Sequence, residues 1–292
     1  RRDGRLLIQA EENARGALFA MAAGPGAPVR KLVPGGSVGG VAEGPDGTLW
    51  FTHQDLSHPP EVHSCAADGT GWRPRTAFND ALLGQLLLGR VEERVYKGAG
   101  DADVQAWVIY PPGFDPKRKY PLVQVIHGGP HATSADAFHW RWNGQAFAAP
   151  GYIVMMVNFH GSTSWGQEFA ASIVGAHGDK PFTDVERGTD LLIAEGNVDP
   201  ERLAATGGSY GGYLVTWIAG HTPRYRCLVN HAGVYDLLSQ YASDVSQGRS
   251  KAYGGEPWDG LENIDRYSPC RFAAGFSSPM LILHGDNDYR VP

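Results

Sequence analysis

Cysteine is scarce in this chain: Cys65, Cys227 and Cys270 are the three in 292 residues, and they lie far apart. An odd count without motif spacing excludes a disulfide framework and a cysteine-based metal site. Cys227 falls in an apolar, strand-like run and reads as a small core residue. Long apolar runs are missing as well. None approaches the roughly 20 residues of a membrane-spanning helix, so no membrane partner is expected. Positive charge is thin, with 25 Lys and Arg against 31 Asp and Glu, a formal net charge of −6 and no basic block. That argues against a nucleic-acid partner. What the chain does have is a 42% hydrophobic fraction, enough for a sizeable core in one large domain or two ordinary ones. Its 39 Gly and 20 Pro make it rich in turns, below the roughly 25–30% Pro plus Gly that argues for disorder.

The first 86 residues read as short strands punctuated by turn signals. Arg5–Gln9, Ala17–Met21, Val29–Val33, Thr48–His53 and Glu61–Cys65 are the strand candidates. Asp3-Gly4, Gly24-Pro25-Gly26, Pro45-Asp46-Gly47 and Asp68-Gly69 are the breakers. Such spacing predicts an antiparallel all-β module. At about 40–45 residues per blade it would amount to about two propeller blades, with part of a β-sandwich as the alternative. A hairpin over 90–97 and 103–110 follows, and Pro111-Pro112-Gly113 ends it.

Beyond that point the pattern changes. Leu122–Ile126, Tyr152–Val157, Leu203–Thr206, Arg226–Asn230 and Met280–Leu283 are short, nearly continuous apolar runs, the signature of parallel strands covered on both faces. Helical spacing lies between them, over Thr183–Ala194 and Tyr210–Gly220. The handoff predicts two domains: a β-rich unit over 1–86 and an α/β unit over 87–292.

The centre of the α/β unit is Gly207-Gly208-Ser209-Tyr210-Gly211, which fits G-x-S-x-G between a strand and a helix. A strand that reverses into a helix over one residue brings its arms together, so a Cβ at Gly207 or Gly211 would collide. The turn lifts the Ser209 hydroxyl above the sheet, at a helix N-terminus whose free N–H groups face whatever the serine attacks. Serine needs a base, and the base needs an orienting group. In the order Ser, Asp, His of this motif, the acid follows a later strand. Met280–Leu283 runs into His284-Gly285-Asp286-Asn287-Asp288, where Asp286 and Asp288 compete for that role. Upstream, Leu122–Ile126 runs into His127-Gly128-Gly129-Pro130. One oxyanion-hole donor of such sites comes from this loop and the other from the residue after the nucleophile. The backbone N–H groups of Gly129 and Tyr210 are therefore the candidates. His127 precedes the serine and reads as structural.

These segments resemble the prolyl oligopeptidase family of serine peptidases, most closely its acylaminoacyl-peptidase and bacterial dipeptidyl-peptidase-like branch. The resemblance also rests on Asn158-Phe159-His160-Gly161-Ser162-Thr163, on Tyr210-Gly211-Gly212-Tyr213 and on Asp288-Tyr289-Arg290-Val291-Pro292. It implies a β-propeller capping an α/β-hydrolase domain, cleavage of short or N-acylated peptides through an acyl-enzyme, and no metal or organic cofactor. It implies that Asp288 is the triad acid. It places Arg290 where members of the acylaminoacyl branch hold the carbonyl of the residue before the cleaved one, and Val234, Leu237 and Val291 at apolar S1-wall positions. Two departures stand out: His160 occupies a position held by Arg in many relatives, and His177-Gly178-Asp179 stands for Trp-Gly-Gly. Both read as tolerated loop variation.

The resemblance also implies a catalytic His some tens of residues after the acid. Only Tyr289, Arg290, Val291 and Pro292 follow Asp288, and all eleven histidines precede it. Together with a start lacking Met, this reads as an internal fragment, truncated before the last strand and helix of its hydrolase domain and nearly inactive by itself. A cytoplasmic location and a possible homo-oligomer are further expectations. A carboxylesterase on the same fold and a non-catalytic propeller–hydrolase scaffold are the competing readings.

Overall fold

The computed structural model describes residues 4–245 and 248–292. Three sheets organise them. β1 (Arg5–Glu12), β2 (Arg15–Ala22) and β3 (Val29–Val33) form an antiparallel three-stranded sheet. β4 (Ser37–Glu43), β5 (Leu49–Gln54), β6 (Glu61–Cys65) and β7 (Arg73–Pro74) form an antiparallel four-stranded meander. The five strands expected in this stretch are present, β3 and β6 with the expected bounds and β1, β2 and β5 with ends shifted by one to three residues. β4 was not anticipated. Its Gly39-Gly40 pair interrupts the alternation, and the register against β5 shifts between Gly39 and Ala42, as at a bulge. Leu18, Leu32, Leu49 and Phe51 close a small core between the two sheets.

After the short α1 (Asp80–Leu83), the remaining strands join one seven-stranded sheet: β8 (Val91–Lys97), β9 (Asp103–Ile109), β10 (Tyr120–Ile126), β11 (Ile153–Asn158), β12 (Val198–Gly208), β13 (Cys227–His231) and β14 (Met280–Leu283). Their order is β14-β13-β12-β10-β11-β9-β8. β10 to β14 pair in parallel, and β8 and β9 are antiparallel. The helices are α2 (Gly144–Ala148), α3 (Gln167–Ala171), α4 (Asp179–Ala194), α5 (Tyr210–His221), α6 (Leu237–Tyr241), α7 (Arg249–Tyr253) and α8 (Pro257–Arg266). Alternation along the strands sorts the core onto the two faces. Val108, Leu122 and Met155 pack with Val185 of α4 and Leu214 of α5. Ile109, Val123 and Val154 pack on the other face with Ala148 of α2. α5 is apolar around its whole circumference and is buried from Tyr210 to Ala219, as a central helix must be.

Cys227 departs from expectation, because it is exposed. It shares a face of β13 with Val229, and on that side the described residues leave an open apolar groove beside Phe147 and Tyr152. Apolar neighbours in sequence do not fix which face is covered. The edge strand β14 is also open: Leu281 is 56% and Ile282 63% exposed.

The β-rich sheets meet the α/β sheet through the loop that follows β10. Asp136 on that loop accepts hydrogen bonds from Gly36 N (3.0 Å) and Leu56 N (3.1 Å). The Ser164 hydroxyl accepts from Ala14 N (2.8 Å), and Arg15 grips both carboxylate oxygens of Glu93 at 3.2 and 2.9 Å. These contacts set the β-rich sheets over the carboxyl ends of the parallel strands, where open α/β sheets hold their ligands.

Candidate active site

Ser209 is the hinge between β12 and α5. Its backbone stands at φ 57°, ψ −119°, a conformation that costs a non-glycine residue about 1–3 kcal/mol and persists only where surrounding structure enforces it. The enforcement is visible. Ser209 N donates to the carbonyl of His231 on β13 (3.0 Å), and Tyr213 N takes the Ser209 carbonyl into the first turn of α5 (3.0 Å). The flanking glycines are required by close approach. A Cβ on Gly207 would lie 2.6 Å from the Gly211 carbonyl carbon and 2.7 Å from Ile126 O, and one on Gly211 would lie 2.2 Å from Ile126 O. The collision between the arms is thus as anticipated from the sequence, and the end of β10 adds a second wall.

The turn after β10 lies directly across from the serine. A Cβ on Gly128 would sit 3.4 Å from Ser209 Cβ and 2.9 Å from Gly208 O. Gly129 takes φ +124° and lines the same cavity as Ser209. Tyr210 is the first residue of α5, so its backbone N–H has no acceptor within the helix. Its side chain points away, donating its hydroxyl proton to the carbonyl of His177 (2.6 Å). Gly129 thus borders the cavity that holds Ser209, and Tyr210 follows Ser209 at the first position of α5. Among the described residues nothing is hydrogen-bonded to the Ser209 hydroxyl.

Three histidines border this cavity, His127, His139 and His231. His127 stacks on Phe159 at 4.2 Å between ring centroids. Its Nδ1 faces Gly128 O (2.8 Å) and its Nε2 faces the Ser162 hydroxyl (2.9 Å). A carbonyl can only accept, so Nδ1 carries the proton and Nε2 accepts from Ser162, which is the pattern of one neutral tautomer. Desolvation lowers its pKa to about 4. With both nitrogens engaged, His127 is a structural residue of the turn. His231, at the end of β13, escaped sequence reasoning. A ligand-binding position at the carboxyl end of a parallel strand was the signal that could have found it.

A pH dependence follows. Buried His177 is also lowered to about 4, first by desolvation and then by His131. The unfolded chain protonates these rings near pH 6.5. Both groups therefore favour the folded state fully above about pH 6.5, and that contribution is lost as pH falls toward 4. Each adds a slope of about 1.4 kcal/mol per pH unit across that window. Glu61, held down to about 2 chiefly by hydrogen bonds from Thr76 and Asn79 against the opposing cost of burial, acts in the same direction only below its unfolded value of about 4.3. The expected result is a steep fall in denaturant midpoint between pH 6.5 and 4.5, shallower by about one proton in His177→Gln. An unchanged slope in that variant would show that His177 is not the titrating group.

The expected acid lies on the loop after β14. Asp288 Oδ1 accepts from Arg290 N and Val291 N, both at 3.0 Å. Its Oδ2 faces His284 Nε2 at 3.6 Å, and that nitrogen donates to the Val291 carbonyl at 2.6 Å. Asp286 is exposed. Arg290 does not line the cavity around Ser209; its Nε donates to Asp244 Oδ1 at 2.8 Å. Val234, Leu237 and Val291 are 5%, 3% and 3% exposed and fill the main core, and none of them lines that cavity. The two departures have clear local fits. His160 pairs through Nδ1 with buried Asp184 (2.7 Å), and Asp179 accepts from the Tyr267 hydroxyl (2.6 Å).

The cavity itself is about 650 Å³. Gln54 of β5 borders it, as do Trp142 and Arg141 of the loop before α2. That loop was not singled out in the sequence, although Phe138-His139-Trp140-Arg141-Trp142 is dense in side chains that recognise ligands.

Residues 138–292 match the profile of the prolyl oligopeptidase family, peptidase family S9. The chain is 32% identical over 263 residues to dipeptidyl-peptidase 5 of Schizosaccharomyces pombe, a match covering 87% of this chain and 37% of that protein. It is 33% identical over 250 residues to dipeptidyl-peptidase 5 of Porphyromonas endodontalis, covering 84% and 36%. The solved structure of uncomplexed Pyrococcus horikoshii acylaminoacyl peptidase superposes with a TM-score of 0.88 at 25% identity, covering 99% of this chain and 46% of that one. The chain thus spans between about a third and just under half of the length of these relatives.

Proposed function

The chain belongs to the prolyl oligopeptidase family, and on that premise we propose that it carries the nucleophile, oxyanion hole and acid of a serine peptidase that hydrolyses short or N-acylated peptides. Ser209 attacks the scissile carbonyl. The N–H groups of Tyr210 and Gly129 receive the oxyanion as the carbonyl becomes tetrahedral. The leaving amine departs to give an acyl-enzyme, which water hydrolyses. Asp288 orients and charges the base that takes the serine proton. By the family's chain order that base is a histidine after Asp288. No histidine among the described residues bridges Ser209 and Asp288. Arg290 contributes a donor for the substrate carbonyl once it releases Asp244.

The observation that carries this reading is the strained backbone of Ser209, held at a strand-to-helix turn directly opposite the Gly128-Gly129 turn. A glycine-rich turn without catalytic duty has no reason to hold a serine there. The test is a side-by-side assay of the full-length protein on an acetyl-amino-acid anilide and a p-nitrophenyl ester. Efficient anilide hydrolysis is expected. Turnover of the ester with no detectable anilide cleavage would make the protein a carboxylesterase, and turnover of neither would make it a scaffold.

A further inference from the structure

Arg141 combines three features that no other arginine among the described residues shows together. First, its backbone is tied to the nucleophile. His139 Nδ1 accepts from both Arg141 N (3.1 Å) and Trp142 N (2.9 Å), closing a tight turn of the kind an Asn or Asp side chain makes. Trp142 then packs on the residue before the serine: a Cβ on Gly208 would lie 2.8 Å from Trp142 Cζ2. The same ring meets His231 edge-on at 5.8 Å. Second, Arg141 lines the Ser209 cavity. Third, no hydrogen bond or ion pair engages its guanidinium among the described residues, whereas Arg15, Arg94, Arg224 and Arg290 all hold carboxylates.

The rest of the cavity is consistent with an anionic guest. None of its lining residues is Asp or Glu. Two carboxylates lie next to lining residues, Asp136 on the loop after β10 and Glu11 on β1, and both are occupied. Asp136 accepts from Gly36 and Leu56, and Glu11 accepts from the hydroxyls of Thr163 (2.6 Å) and Thr133 (3.3 Å). Ser134 also lines the cavity. Its backbone is held by Asn158 and Trp107, yet its buried hydroxyl has no partner.

We propose that Arg141 is a specificity-determining residue that selects peptides bearing a carboxylate within one residue of the scissile bond. The proposal rests on the peptidase reading above. A guanidinium grips a carboxylate bidentately and repels a free ammonium. Among the described residues lining the Ser209 cavity, Arg141 is the one guanidinium. His139 is the positioning residue that holds the turn.

The test uses acetylated tetrapeptides in two pairs, cleaved by the full-length protein. One pair differs only in Glu against Gln on the acyl side of the scissile bond, the other in a free against an amidated C-terminus on the leaving side. Wild type is expected to prefer the carboxylate in at least one pair by about tenfold in kcat/KM, shrinking toward one near 1 M salt as the exposed charge is screened. Arg141→Gln brings that ratio to about one and Arg141→Lys keeps part of it. His139→Ala lowers it, and His139→Asn, which preserves an acceptor for the two N–H groups, restores it. A ratio near one in wild type for both pairs, or an unchanged ratio in Arg141→Gln, overturns the proposal and leaves the peptidase reading intact. Failure of wild type to cleave any of the peptides, or the anilide, overturns both.

Discussion

Replacing Ser209 with alanine is expected to lower kcat of the full-length protein by at least about 10³-fold while leaving its unfolding midpoint close to wild type. Triad members act as a unit, so losing the nucleophile leaves only what positioning and the oxyanion donors supply. The fold has little reason to notice the change. No hydrogen bond to the Ser209 hydroxyl is present among the described residues. The contacts that enforce the turn run through its backbone N–H and carbonyl, to His231 and Tyr213, and alanine keeps both. Single-turnover and steady-state rates on an anilide substrate give the measurement. A variant retaining a tenth of wild-type activity would mean that another residue attacks.

Asp288→Asn is expected to cost about 10⁴-fold in kcat, the scale on which an orienting carboxylate acts, against less than about threefold for Asp286→Asn. The geometry makes this comparison clean. Asp288 Oδ1 holds the backbone N–H groups of Arg290 and Val291, and an asparagine carbonyl oxygen at that position keeps both. The loop therefore stays closed, and what changes is the charge at Oδ2, which faces His284 here and which the proposed mechanism assigns to the base. Asp286 is exposed, and the hydrogen bonds that close the loop run to Asp288 instead, so its replacement removes only a surface charge. Equal losses in the two variants would remove the basis for choosing Asp288, and a larger loss at Asp286 would reverse it. A circular dichroism spectrum matching wild type guards against loop collapse as the cause.

Much of the site was legible because its constraints are local. A G-x-S-x-G turn between an apolar run and a helical run permits few backbone paths. Gly207 and Gly211 are glycines because the arms of the turn and the end of β10 leave no room for a Cβ. The same holds for His127-Gly128-Gly129 after β10. The parallel strands were readable because burial on both faces makes them continuously apolar. β4 was not, since its central glycines carry no side chain to alternate. The helices between β13 and β14 were also missed. They are short, and Gly254, Gly255 and Gly260 break their periodicity, with Gly260 at φ −146° inside α8.

The sequence by itself determined the family, the order of the parallel strands and the strained turn that presents Ser209, because each of these is written in residues adjacent along the chain. The tertiary structure alone decided which side chains meet at that turn and which are already spoken for. Arg290 and Arg141 are alike as sequence, each next to an aromatic or apolar residue in a loop. Only packing shows that Asp244 holds one and that the other stands unpaired beside the nucleophile. Cys227 and Leu228 are adjacent in one apolar run, yet the sheet buries Leu228 and leaves Cys227 exposed. Pairing and coverage depend on residues tens of positions away, and a local pattern carries no record of where those residues arrive.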